Sequence, residues 1–152
     1  MKVQDLMSKP VVTAKADDSL ESVARQMLNK KIGSVVVVDN TGQATGIITE
    51  SDFQAHEPAA PLDSFRQPKL WGQWIGLHGL DDVYAEARRI KASKIMQKTI
   101  VSLREDDPAE RAVDLMMRHE FHHLPVLRDG KPVGMVAHHD LLKLAMARAR
   151  AA

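Results

Sequence analysis

The stretch "GIITESDF", Gly46 to Phe53, decides how this chain folds. An apolar run ends in Thr49, and an acid, Asp52, stands three residues later. That order reads as a strand that stops, followed by a helical start carrying a carboxylate. Nearly the same arrangement returns as "GMVAHHDLL", Gly134 to Leu142, with Asp140 kept and Ala137 where the threonine stood.

Working outward, the whole chain aligns with itself. With Met7 set over Met96, Thr13 falls on Ser102 and Asp17-Asp18 on Asp106-Asp107. Glu21 falls on Glu110, Met27 on Met116 and Val37 on Val126. One residue is lost in a turn, after which Gly46 meets Gly134 and Asp52 meets Asp140. The expected organisation is a first repeat over 1–54, an insertion over 55–91, and a second repeat over 92–152 with a C-terminal helix.

Each repeat has the same local code. "DDSLESVARQML" spaces Leu20, Val23, Ala24, Met27 and Leu28 as one helical stripe, and "DDPAERAVDLMM" repeats it with Ala109, Ala112, Val113, Met116 and Met117. The methionines in it read as core packing. Asp18 with Glu21, and Asp107 with Glu110, fit an N-cap and its N3 acid, with Pro108 at the first helical position. "SVVVVD" is a β-branched run suited to a strand covered on both faces, and "GIIT" is its return strand. "LPVLRD" and "VGMVA" are their counterparts, with Pro125 expected near a strand start or edge. Each unit is therefore β-α-β-β-α, an α/β (α+β) fold. About 50 residues bury too little surface alone, so the two copies should pack sheet to sheet as a pseudo-twofold pair.

Composition narrows the function. Of 152 residues, 44% are hydrophobic and 27% charged, with a formal net charge of +1, so no overall field favours nucleic acid or an anionic membrane. The absence of cysteine excludes disulfides, thiol catalysis and cysteine-ligated metal. No apolar run approaches a membrane span, and "MKVQDLMSKP" lacks a signal-peptide core, so a cytoplasmic location is expected.

The tandem of β-α-β-β-α units resembles the cystathionine-β-synthase (CBS) domain pair, or Bateman module. The matching segments are "VQDLMSKPVVTAKADDSLESVARQML", "IGSVVVVD" and "GIITESD", then "ASKIMQKTIVSLREDDPAERAVDLMM", "HHLPVL" and "GMVAHHD". The resemblance implies a non-catalytic regulatory module that binds AMP, ADP, ATP or S-adenosylmethionine in a cleft between repeats, with no cofactor required. It also implies a homodimer and a protein partner acting in trans. One carboxylate can accept hydrogen bonds from both ribose hydroxyls, each charge-assisted bond contributing roughly 1.5–3 kcal/mol.

Carried onto this chain, the resemblance sets Thr49 and Asp52 in a first cleft facing Ser102, His122, His123, Leu124 and Pro125, with His138 near phosphate. It sets Asp140 in a second cleft facing Thr13, Ala14, Ile32, Gly33, Ser34 and Val35. The first cleft is expected to be the complete one. The second lacks a hydroxyl at Ala137 and is expected to be weaker.

Five of seven histidines fall between His119 and His139. They suit solvated surface, phosphate contact, or a zinc or nickel site. A structural scaffold with inactive clefts, a His-rich metal-binding module and a metal-dependent hydrolase are the competing readings. No nucleophile–base spacing supports the last. The insertion carries Trp71, Trp74 and Tyr84 and a helix near 81–91, a lid or a partner-facing surface. Arg88, Arg89 and Lys91 read as a solvated helix face.

Overall fold

A computed structural model describes residues 1–53, 69–70, 73–74 and 88–151. The first repeat runs α1 (Val3–Leu6), β1 (Thr13–Lys15), α2 (Leu20–Lys30), β2 (Ser34–Val38) and β3 (Ala44–Thr49), then a 3₁₀ turn over Glu50–Phe53. The second runs α3 (Ala92–Ile95), α4 (Ala109–His119), β6 (His123–Arg128) and β7 (Lys131–Ala137), then a 3₁₀ turn over His138–Asp140 and α5 (Leu141–Ala151). Between them lies a two-residue hairpin, β4 (Lys69–Leu70) with β5 (Gln73–Trp74). The chain is a mixed α/β pair of repeats, and among the described residues no helix is long and apolar enough to cross a membrane.

β2 is the central strand of its sheet, parallel to β1 and antiparallel to β3, and all five of its residues are buried. Its β-branched side chains fill both faces, which explains the unbroken apolar run. The second sheet keeps the β6–β7 pair but reduces the first strand to a single bridge, Leu103 with Val126. Pro125 is the reason. In the first repeat Val36 N–H donates to Val12 O at 3.2 Å, whereas Pro125, in the equivalent position, has no N–H to offer Val101. The proline sits third in β6, which is an edge strand of its two-stranded sheet, where a missing donor is tolerated.

The helical starts differ from the expected caps by one residue. Ser19 caps α2, its Oγ accepting from Ser22 N–H at 3.1 Å, and Pro108 occupies the cap of α4 without a side-chain bond. Asp18 and Asp107 instead close the preceding turns, accepting from Lys15 N–H and Arg104 N–H at 2.8 Å each. A short carboxylate that can bond three residues back competes with the capping role, and here it wins. The stripe prediction also needs amendment: Met27 and Met116 are buried, but Leu28 and Met117 are 78% and 71% exposed.

The two short helices cross over. Val3 and Met7, from the start of the chain, are buried in the second repeat's core with Leu103, Met116, Leu124, Val126 and Val136. Ala92, with Ile95 and Met96 against it, completes the first repeat's core of Ala14, Val23, Met27, Val35, Val37 and Ile48. Backbone bonds hold each exchange: Val3 N–H to Asp107 O and Gln4 N–H to Glu105 O on one side, Ile47 and Gln97 reciprocally on the other. The hairpin tips also meet, Ala44 N–H donating to Gly130 O at 2.9 Å. In the β6–β7 tip, Asp129 and Gly130 both have positive φ (51° and 76°), the tight two-residue turn that Asp-Gly favours.

Of the insertion, Trp71, Tyr84 and most of the helix expected near 81–91 lie outside the described residues. Arg88 and Arg89 are helical. Arg88 and Lys91 are exposed, as a solvated face requires, and form surface ion pairs with Glu21 and Asp17 at 2.9 Å each.

Candidate functional site: two clefts between the repeats

Two clefts lie where the repeats meet. The first, about 180 Å³, takes Thr49, Glu50 and Ser51 from the end of β3 and Glu120 to Pro125 from the start of β6. Gln97, Thr99 and Val101 close its third side. The second, about 380 Å³, takes Ala137, His139 and Asp140 from the end of β7 and Lys31 to Ser34 from the start of β2. Ser8, Pro10, Val11 and Val12 close it on the matching third side. The cross-over of the short helices therefore builds both clefts, because it brings Ser8 to the second and Gln97 to the first.

Most predicted residues come together. Thr49, His122, His123, Leu124 and Pro125 share the first cleft; Ile32, Gly33, Ser34 and Asp140 share the second. Ser102 lines a separate polar groove with Arg104, Glu105 and Asp129. Thr13 is an exposed residue of β1, and Ala14 and Val35 are buried within the first repeat's core. The wall comes from Thr99 and Val101 in the first cleft, where the extended segment alternates its side chains, and from Pro10, Val11 and Val12 in the second, rather than from residues one or two further on.

The two aspartates are closed back onto their own strand ends. Thr49 N–H donates to Asp52 Oδ2 at 2.7 Å, and Ala137 N–H to Asp140 Oδ2 at 2.8 Å. Their other oxygens differ. Asp140, 6% exposed, accepts from Lys143 Nζ at 2.7 Å, and that ammonium also donates to Leu6 O at 2.9 Å. Asp52 Oδ1 accepts from the neutral amide of Gln97 at 2.9 Å, and Thr49 Oγ1 sits 2.8 Å from Ser51 Oγ and 3.1 Å from Asp52 Oδ2. Asp140 lines its cleft directly; Asp52 lies behind Thr49 and Gln97, which line the other. Both oxygens of Asp140, and Oδ1 of Asp52, accept one bond each and retain lone-pair capacity for a further donor.

His123 belongs to both clefts. Its imidazole rests on Gly33, where a Cβ would lie 2.7 Å from Nε2, so any larger residue there would have to displace the ring. Burial pushes its pKa below the usual histidine value, as does His122, while Glu50 and Asp140 oppose them. His138 stacks on the ring of His122, centroids 5.8 Å apart, and its backbone N–H donates to the His122 carbonyl at 2.8 Å. Among the described residues no three His, Asp or Glu side chains gather as a metal-ligand group. Ser8, Gln97, Thr99, Lys31 and Glu120 are cleft residues that no spacing argument identified, since only the cross-over places Ser8 and Gln97 there.

Comparison with known proteins identifies the class. The CBS domain family model matches residues 3–56 and 92–147, and the chain belongs to that family. It is 31% identical over 143 residues to a CBS domain-containing protein of Dictyostelium discoideum, covering 93% of this chain and 89% of that one. The CBS domain of a CBS domain-containing membrane protein from Sphaerobacter thermophilus superimposes with a TM-score of 0.74 at 34% identity, covering 95% and 87%. A CBS domain pair solved in complex with 5′-methylthioadenosine and S-adenosyl-L-methionine shares the fold at a TM-score of 0.70 and 22% identity, covering 97% and 98%.

Proposed function

We propose that this chain is an adenosine-ligand sensor: a regulatory, non-catalytic module that binds an adenosine-containing molecule in its inter-repeat clefts and signals to a protein partner in trans. The observation that carries the reading is the paired placement of two strand-end carboxylates beside clefts built from both repeats. In the second cleft, Asp140 would accept from the two ribose hydroxyls while Ile32 and Val12 flank the base. That cleft falls within the roughly 300–1,000 Å³ range of small-ligand sites, and Ser8 and Ser34 supply hydroxyls in place of the one missing at Ala137. In the first cleft, Asp52 becomes available once the Gln97 amide moves. The adenosine ligands of the similarly folded pair support the ligand class.

A cytoplasmic homodimer completes the reading. Leu28 and Met117 occupy equivalent positions on α2 and α4, and both are largely exposed apolar side chains. A surface repeated by an internal twofold suits a second copy of the same chain.

Thermal unfolding tests the proposal. A ligand at about 100 times its dissociation constant stabilises by about 2.7 kcal/mol. Upward shifts are expected with members of the set adenosine, AMP, ADP, ATP and S-adenosylmethionine, reduced in Asp52→Ala, Asp140→Ala or both. No response to any of them would leave a structural module, and a response confined to zinc or nickel would favour a metal function.

A further inference from the structure

The two clefts are related by the repeat, yet they differ in charge, and at one pair of matching positions the charge is inverted. The residue after each long helix adopts the left-handed conformation, Lys31 at φ 53° and Glu120 at φ 55°. Lys31 lines the second cleft and Glu120 the first. The residues after each return strand differ in the same sense: Glu50 and Ser51 line the first cleft, while His139, the counterpart of Ser51, lines the second. The strand-end aspartates reinforce the difference. Lys143 neutralises Asp140, whereas among the described residues the hydrogen-bond partners of Asp52, Thr49 and Gln97, are uncharged. None of the described residues lining the first cleft is a lysine or arginine. One wall is common: the half-buried His123 faces both.

We infer that the two clefts take adenosine ligands of different charge, the second an anionic, phosphate-bearing nucleotide and the first a cationic nucleoside such as a sulfonium. This rests on the adenosine reading above. A phosphate in the second cleft meets the Lys31 ammonium and the His139 imidazole, and would meet Glu120 and Glu50 in the first. A sulfonium experiences the reverse. The protein would then read two chemically distinct adenosine species at once.

The test is calorimetric titration of the full chain with adenosine, AMP and S-adenosylmethionine. Variants are Lys31→Glu, Glu120→Lys and the double exchange, each placing at one left-handed position the side chain the other repeat already carries there. AMP is expected to bind one equivalent, weakened about tenfold in Lys31→Glu and more weakly at raised salt. Glu120→Lys is expected to weaken S-adenosylmethionine by a similar factor and to admit AMP to a second site. The double exchange should swap which aspartate, Asp52 or Asp140, each ligand depends on. The inference is overturned if AMP and S-adenosylmethionine compete for one equivalent, or if AMP ignores Lys31→Glu. Uncharged adenosine separates the failures: if adenosine binds while charge reversals move neither AMP nor S-adenosylmethionine, the charge division alone falls. If none of the three binds, the adenosine reading falls with it.

Discussion

Met7 lies directly on Gly134: a Cβ built on that glycine would collide with the methionine Sδ and lie 2.8 Å from its Cγ. Met96 lies on Gly46 in the same way, with Sδ 2.6 Å from the position a Cβ would take. The methionine and the glycine of each pair come from different repeats. Gly134→Ala is therefore expected to cost about 1–3 kcal/mol through overpacking, and Met7→Ala about 2–5 kcal/mol through a cavity. Because the new methyl partly fills that cavity, the double variant should be less destabilised than the sum, by about 0.5–3 kcal/mol. Urea unfolding of the four proteins measures the coupling; strict additivity would mean the contact is not tight.

Gln97 occupies the carboxylate that a ribose would need in the first cleft. Replacing it with alanine removes a hydrogen bond that an incoming ligand must break, worth about 1.5–3 kcal/mol to a charged group before the ligand restores it. Adenosine binding that depends on Asp52 should tighten in Gln97→Ala, by about tenfold at the lower end of that range. Weaker binding instead would mean the amide holds the ligand itself.

His123 gives the fold a pH dependence whose sign can be worked out. Its pKa is held below the usual histidine value, chiefly by burial. As pH falls, the unfolded chain takes up the proton first, so the stability present above about pH 6.5 is lost as the solution is acidified. His123→Ser, which places there the residue found at the equivalent position 34, should flatten the stability profile between about pH 7 and 5. An unchanged slope in that variant would assign the effect to other groups.

Leu28→Glu with Met117→Glu tests the proposed dimer. Both side chains are exposed, so the folded monomer should keep its stability within about 0.5 kcal/mol. Sedimentation should show a dimer for the original chain and a monomer for the double variant. A dimer that survives both charges would place the interface elsewhere.

Much of the architecture was legible because the chain carries its own copy. The register of Gly46 on Gly134 and Asp52 on Asp140, together with the β-branched run of β2, specifies two related β-α-β-β units without reference to packing. The helix caps were legible only to within one residue, because Asp18 and Asp107 can bond either forward or back. Loss of pairing opposite Pro125 follows from a missing donor, yet its consequence depends on knowing that Val101 lies alongside. The charge inversion is visible in the alignment of Lys31 with Glu120, but that both open onto clefts is a property of the fold. Exchange of the short helices left no trace in hydrophobic spacing, since the apolar side chains of Val3 and Met7 do not say which core they enter.

That exchange means sequence order and structural ownership disagree. Deleting the first seven residues would unroof the repeat synthesised last, while the one they introduce kept its cover. A solitary copy of the unit would carry its flap facing away from its own interior, and could finish folding only by trading flaps with a twin. Duplication within one chain turns that trade between molecules into a permanent cross-stitch.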